Sequence, residues 1–166
     1  MERFITDVML GRLSRWLRIL GHDTRSDLSA DDEILQAART DSRIILTRDR
    51  ELTNRAHRMA VDCLYIGAPD LEGQILALFR SLGVRDLELR PDRSRCALCN
   101  GELEALGVED VVDRVPEKVR EFHSEFWECR ACHKLYWMGR HWENIEKQIN
   151  GLRARLRETA DDDGSG

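Results

Sequence analysis

The chain has no run of 18 uncharged apolar residues, so no segment is expected to span a membrane and no membrane partner follows. It has no basic excess: 26 Lys and Arg face 31 Asp and Glu, for a net charge of −5. Residues 1–88 and 89–150 each hold more acids than bases. That sign excludes a protein that clings to nucleic acid by bulk attraction, and it requires a local basic patch or acids that recruit metal ions. Three prolines and eleven glycines leave no room for a fibrous or low-complexity chain, and 42 % hydrophobic residues suffice for a buried core. The opening MERFITDVML carries Glu2, Arg3 and Asp7 with no apolar run before a small-residue cleavage site. A secretory leader is not expected there, and a cytoplasmic setting is the expectation.

Five cysteines is an odd number, which argues against a disulfide framework. Cys96, Cys99, Cys129 and Cys132 form two C-x-x-C hooks separated by 29 residues, while Cys63 stands alone in VDCLYIG as a core residue. Two such hooks read as a four-thiolate zinc site, because the x-x spacing lets both sulfurs of one turn face the same ion. With four protein ligands no coordination position stays open, so this zinc is expected to be structural. His133 and His141 are not needed as ligands.

Apolar periodicity sets out the rest. A strand is expected over residues 3–8, then a helix over 9–20 with Leu10, Leu13, Leu17 and Leu20 on one stripe and Arg12, Arg15 and Arg18 opposite. Further strands are expected near 22–26, 43–46 and 62–66. Helices are expected near 31–40, 50–60 and 70–82, the first of them capped by Ser29 or Asp31. Strand and helix alternating in this way predict an α/β domain, a small parallel sheet flanked by helices, over 1–88. A zinc-ribbon domain follows over 89–146, with a hairpin and a short helix after Pro116. Residues 147–166 are expected to form a helix, packed on the body or paired with a second copy, and a solvated DDDGSG tail.

In parallel sheets ligands bind beyond the carboxyl ends of the strands, and acids fall at those positions. Asp7 follows the first expected strand and Asp49 a later one. Asp31 and Asp32 open a helix, and Glu51 lies two residues past Asp49. Carboxylates brought together repel unless a cation sits between them, and oxygen-only ligands select Mg²⁺ or Mn²⁺. Metal-assisted phosphate chemistry is one outcome; the other is that each acid is a helix cap or loop charge, strongest for Asp31 and Asp32.

The runs TDVMLGRLSRWLRILGHDT, DDEILQAAR and RIILTRDREL, followed by RCALCNGEL, RVPEKV and FWECRACHKLYWMGRHWENI, resemble the PIN-like RNase domain at the carboxyl end of the Mut-seven exonuclease family, with its zinc ribbon. The likeness extends over residues 3–146. It implies a PIN-like fold and an enzyme that hydrolyses RNA with Mg²⁺ or Mn²⁺. By that resemblance Asp7 matches the first-strand acid, Asp31 or Asp32 the acid opening the second helix, and Asp49 the T-x-D acid, with Glu51 a candidate fourth. Asp7 and Asp49 would hold the ion. Arg12, Arg15 and Arg18, with Arg48 beside Asp49, are candidates to hold substrate phosphates, since guanidinium forks suit them. Trp127, Tyr136, Trp137 and Trp142 surround the second hook and either pack around the metal or stack bases of single-stranded RNA. A metal-dependent ribonuclease is the leading reading; a non-catalytic RNA- or ribosome-associated binding module is the other.

Overall fold

A computed structural model describes residues 2–162. Four strands, β1 (Phe4–Thr6), β2 (Thr24–Arg25), β3 (Ile44–Thr47) and β4 (Cys63–Tyr65), form one parallel sheet in the order β2-β1-β3-β4. Helices α1 (Gly11–Ile19), α2 (Asp31–Asp41), α3 (Arg50–Arg58) and α4 (Leu71–Ser81) alternate with them. The central strands carry apolar residues at successive positions because both faces of the sheet are covered. Phe4 and Leu46 point to a core shared with α1 and α4, while Ile5 and Ile45 point to a second core under α2 and α3. The expected α/β architecture is the observed one.

Leu13 and Leu17 of α1 are fully buried, and the helix ends where Gly21 takes a φ of 92° that only glycine adopts without strain. The start of α2 departs from expectation. Its N-cap is Ala30, which makes no side-chain cap, so neither Ser29 nor Asp31 serves. Asp31, Asp32 and Glu33 instead fill the first turn, where the helix dipole favours negative charge.

The second unit is a three-stranded antiparallel sheet of β5 (Leu103–Leu106), β6 (Phe126–Cys129) and β7 (Leu135–Trp137), with the short α5 (Glu117–Phe122) in the β5–β6 connection. Val111, Val115 and Phe126 make its small core. The last helix, α6 (Arg140–Asp162), returns to the first unit. Ile145, Ile149, Leu152 and Leu156 recur at helical spacing and are buried in the α1–α4 core. The helix therefore packs on the body. It takes in Asp161 and Asp162 of the expected tail; residues 163–166 lie outside the described residues. No described helix is long and apolar enough to cross a membrane.

Candidate active site and metal centre

The chain leaves β1 toward β2 on one side and reaches β3 on the other, so the strand order reverses between β1 and β3. Such a switch point opens a crevice beyond the carboxyl ends of the two strands, because the helices that follow them lie on opposite faces. Asp7 and the Thr47-Arg48-Asp49 turn occupy that crevice. Asp7 is 8 % exposed. Its Oδ1 accepts from the Met9 amide (2.9 Å), and its Oδ2 accepts from the Arg48 amide (3.1 Å) and from the Thr47 hydroxyl. The capping bond to Met9 is a structural duty that the sequence did not reveal: Asp7 opens the 3-10 turn Val8–Leu10.

Thr47 joins the two acids. Its hydroxyl donates to Asp7 and accepts from the Asp49 amide at 2.9 Å. Asp49 caps α3, its Oδ1 accepting from the amides of Glu51 (2.7 Å) and Leu52 (3.3 Å). Its Oδ2 carries no hydrogen bond from the described residues, and the residue is exposed. The T-x-D spacing was visible in the sequence, but the bridging role of the hydroxyl was not. Nearby, the half-buried Cys63 thiol is pushed up in pKa by burial and by the negative charge of Asp7.

The remaining acids do not join this pair in a closed cluster. Among the described residues, the four cysteines are the one group of three or more potential ligands whose donor atoms all lie within 4.8 Å of one another. The acids beyond Asp7 and Asp49 are thus not drawn into a closed group with them. Asp31 and Asp32 both pair with Arg55 of α3, the former at 3.2 Å, an interaction no local signal announced. Glu51 stands exposed in the first turn of α3.

The arginines of α1 divide. Arg12 and Arg15 are exposed on its outer face. Arg18 is buried and does not belong to a solvated, phosphate-facing surface: its guanidinium donates to the carbonyls of Thr24 (2.9 Å), Ala97 (3.2 Å) and Leu98 (3.0 Å) and to Ser26 Oγ (2.7 Å). The corrected role is a strut that ties the first cysteine hook to α1 and β2. Burial lowers its pKa, and nearby thiolates and Asp27 oppose that shift. Asn100 reinforces the joint, its carbonyl accepting from the Thr24 amide (2.9 Å) and its amide donating to Asp23 (2.7 Å). Arg48 is half-buried beside Asp49.

The four cysteines can hold a zinc ion. The Sγ atoms of Cys96 and Cys132 lie 3.6 Å apart and those of Cys99 and Cys129 3.4 Å apart, close to the ~3.8 Å edge of a tetrahedron with 2.3 Å Zn–S bonds. Each hook ends on a left-handed residue, Asn100 (φ 70°) and His133 (φ 58°), which folds the turn back under the sulfurs. Gly101 follows the first because a Cβ there would lie 2.6 Å from Cys129 Sγ. Burial disfavours the Cys96 thiolate, but hydrogen bonds from the Tyr136 hydroxyl (3.1 Å) and from backbone amides outweigh it and hold that thiol at about 6. Burial pushes Cys99 up to about 12. Cys96 is thus the thiol readiest to ligate, and ion binding must displace the proton that burial favours on Cys99.

Taken together, fold and site define a doubly wound α/β domain with acids at its switch point, buttressed by a four-cysteine ribbon. A family model described as the Mut7-C RNAse domain matches residues 2–149, and the chain belongs to that family. No curated protein and no solved structure matches it. The family's description points to a nuclease-like role with RNA as substrate.

Proposed function

We propose that the protein is a divalent-metal-dependent ribonuclease whose reactive centre is the Asp7–Thr47–Asp49 group. The observation that carries this reading is the pairing of two carboxylates across the β1–β3 switch point in a chain of an RNase domain family. Asp7 has about four acceptor positions and uses three, so one remains for a metal ion. Asp49 offers a free Oδ2. Two carboxylates with water and substrate phosphate are what Mg²⁺ or Mn²⁺ ordinarily takes, so the residues fit, with Asp7 and Asp49 as ligands. Bound there, the ion would neutralise the phosphate and lower the pKa of an attacking water.

The chain's own residues do the positioning. Three donors hold Asp7 in one orientation, and the cap fixes Asp49 at the start of α3. Arg48, Arg12 and Arg15 supply guanidinium groups for the phosphates flanking the scissile bond. Asp31 or Asp32, now paired with Arg55, would complete the ion's shell or orient the water, with Glu51 the candidate fourth acid. The ribbon zinc, with four thiolates and no open position, is structural.

The test is cleavage of end-labelled single-stranded RNA by the zinc-loaded chain with no added ion, with Mg²⁺ and with Mn²⁺, beside Asp49→Asn. Asparagine caps helices as well as aspartate, so this variant keeps α3 intact while removing the charge. Divalent-dependent cutting lost in the variant supports the reading. RNA binding without cutting under every condition favours the non-catalytic binding module.

A further inference from the structure

A broad concavity lies beside α1, away from the acids. It measures about 870 Å³ and opens between the outer face of α1, the ribbon strand β7 and the first turns of α6. Arg12, Arg15, Lys134 and Arg140 line it together with Trp16 and Trp137, and no carboxylate does. In a chain with a net charge of −5 that is a marked local excess of cations. Arg25, Arg43 and Arg55 of the same α/β domain are each paired with carboxylates, whereas Arg12, Arg15 and Arg140 have no acidic partner among the described residues. Trp137 is 37 % exposed and Trp16 half-buried, so each presents apolar ring surface to the groove.

Uncompensated cations interleaved with ring faces fit a polyanion that carries flat apolar groups: a nucleic-acid strand with unpaired bases. A duplex would keep its bases stacked inside and leave the rings unused. The groove also has direction. Helix α1 has nine residues and is therefore about 13 Å long. Arg12, the second residue of α1, lies two residues past the 3-10 segment that Asp7 caps. Val8 and Met9, 69 % and 62 % exposed, lie between them.

We propose that this groove is the track for single-stranded RNA, with phosphates on Arg12, Arg15, Lys134 and Arg140, a base stacked on Trp137, and the strand leading over Val8 and Met9 to Asp7. The identity of the strand as RNA rests on the ribonuclease reading above. The ribbon is then a wall of the substrate track as well as a buttress. Arg18 matters to it indirectly, by holding the hook that carries that wall.

The test is fluorescence anisotropy of labelled oligouridine on the zinc-loaded full chain, without Mg²⁺ or Mn²⁺, over a range of salt. Four phosphate contacts predict a slope of log K against log salt of about −3. Arg15→Glu and Arg140→Glu should each weaken binding about tenfold or more and flatten the slope. Trp137→Ala should cost about fivefold or more. Arg130→Glu, an exposed ribbon residue outside the groove, should bind within twofold of the parent. Parent-like binding by both charge reversals, each shown folded by circular dichroism, overturns the proposal, as does equal competition by a duplex of the same length. Cleavage is scored separately. Groove-dependent binding without metal-dependent cutting upholds the track and removes the nuclease; metal-dependent cutting with parent-like affinity in the groove variants does the reverse.

Discussion

Replacing Arg18 by methionine separates two roles for this residue. Methionine keeps most of the aliphatic stem that packs in the core and removes the guanidinium. Four acceptors then lose their donor. The Thr24 carbonyl is fully buried and bears the larger cost, about 2 kcal/mol; Ser26 and the carbonyls of Ala97 and Leu98 are reached by water and lose roughly 0.5–1 kcal/mol each. The expected destabilisation is about 4 kcal/mol, which for a chain of this size lowers Tm by roughly 10 °C. Urea and thermal unfolding followed by circular dichroism measure it directly, and zinc content after dialysis reports whether the first hook has loosened. A phosphate-binding arginine on a solvated face would behave in the opposite way, leaving Tm unchanged and weakening RNA binding. A loss of stability under about 1 kcal/mol refutes the strut.

Further outcomes follow from individual contacts. Gly101→Ala drives a methyl into Cys129 Sγ and should abolish stoichiometric zinc binding, whereas Gly151→Ala, with nothing within 4 Å and a helix-interior position, should stabilise by about 0.5–1 kcal/mol; zinc titration and melting curves check the pair. Burial raises the Asp23 pKa, but hydrogen bonds from Arg43 and Asn100 outweigh it and hold the carboxyl well below the usual carboxylate range. Its stabilisation is therefore complete above the ordinary value of 3.8 and is lost as pH falls through the depressed folded value, so Asp23→Asn should flatten the acid limb of a stability–pH profile measured from pH 7 to 2. Acidification should also release zinc, since each thiol regains its proton, and metal competition assays between pH 8 and 5 should show affinity falling steeply. Asp49→Ala should cost about 1 kcal/mol through the lost cap, while Asp49→Asn should cost little; comparing their Tm values separates the cap from the charge.

Local pattern carried most of the fold. The apolar stripe of Leu13 and Leu17, the consecutive apolar residues of β1 and β3, and the paired C-x-x-C hooks each depend on neighbours in the chain, so the sequence alone determined the parallel α/β domain and the cysteine cluster. The strand-end positions of Asp7 and Asp49 were legible for the same reason. What it left undetermined were matters of which element lies against which. Arg18 falls on the polar side of α1 by helical spacing, yet the first hook docks there and buries it, because Ala97 and Leu98 bring carbonyls that need a donor. Arg55 and the pair Asp31–Asp32 meet only because α2 and α3 share one face of the sheet. Whether residues 145–156 packed on the body or paired with another copy was open until α4 supplied a surface. The basic groove, finally, draws on α1, the ribbon and α6, more than 100 residues apart, and charges so widely separated converge only when the chain has folded.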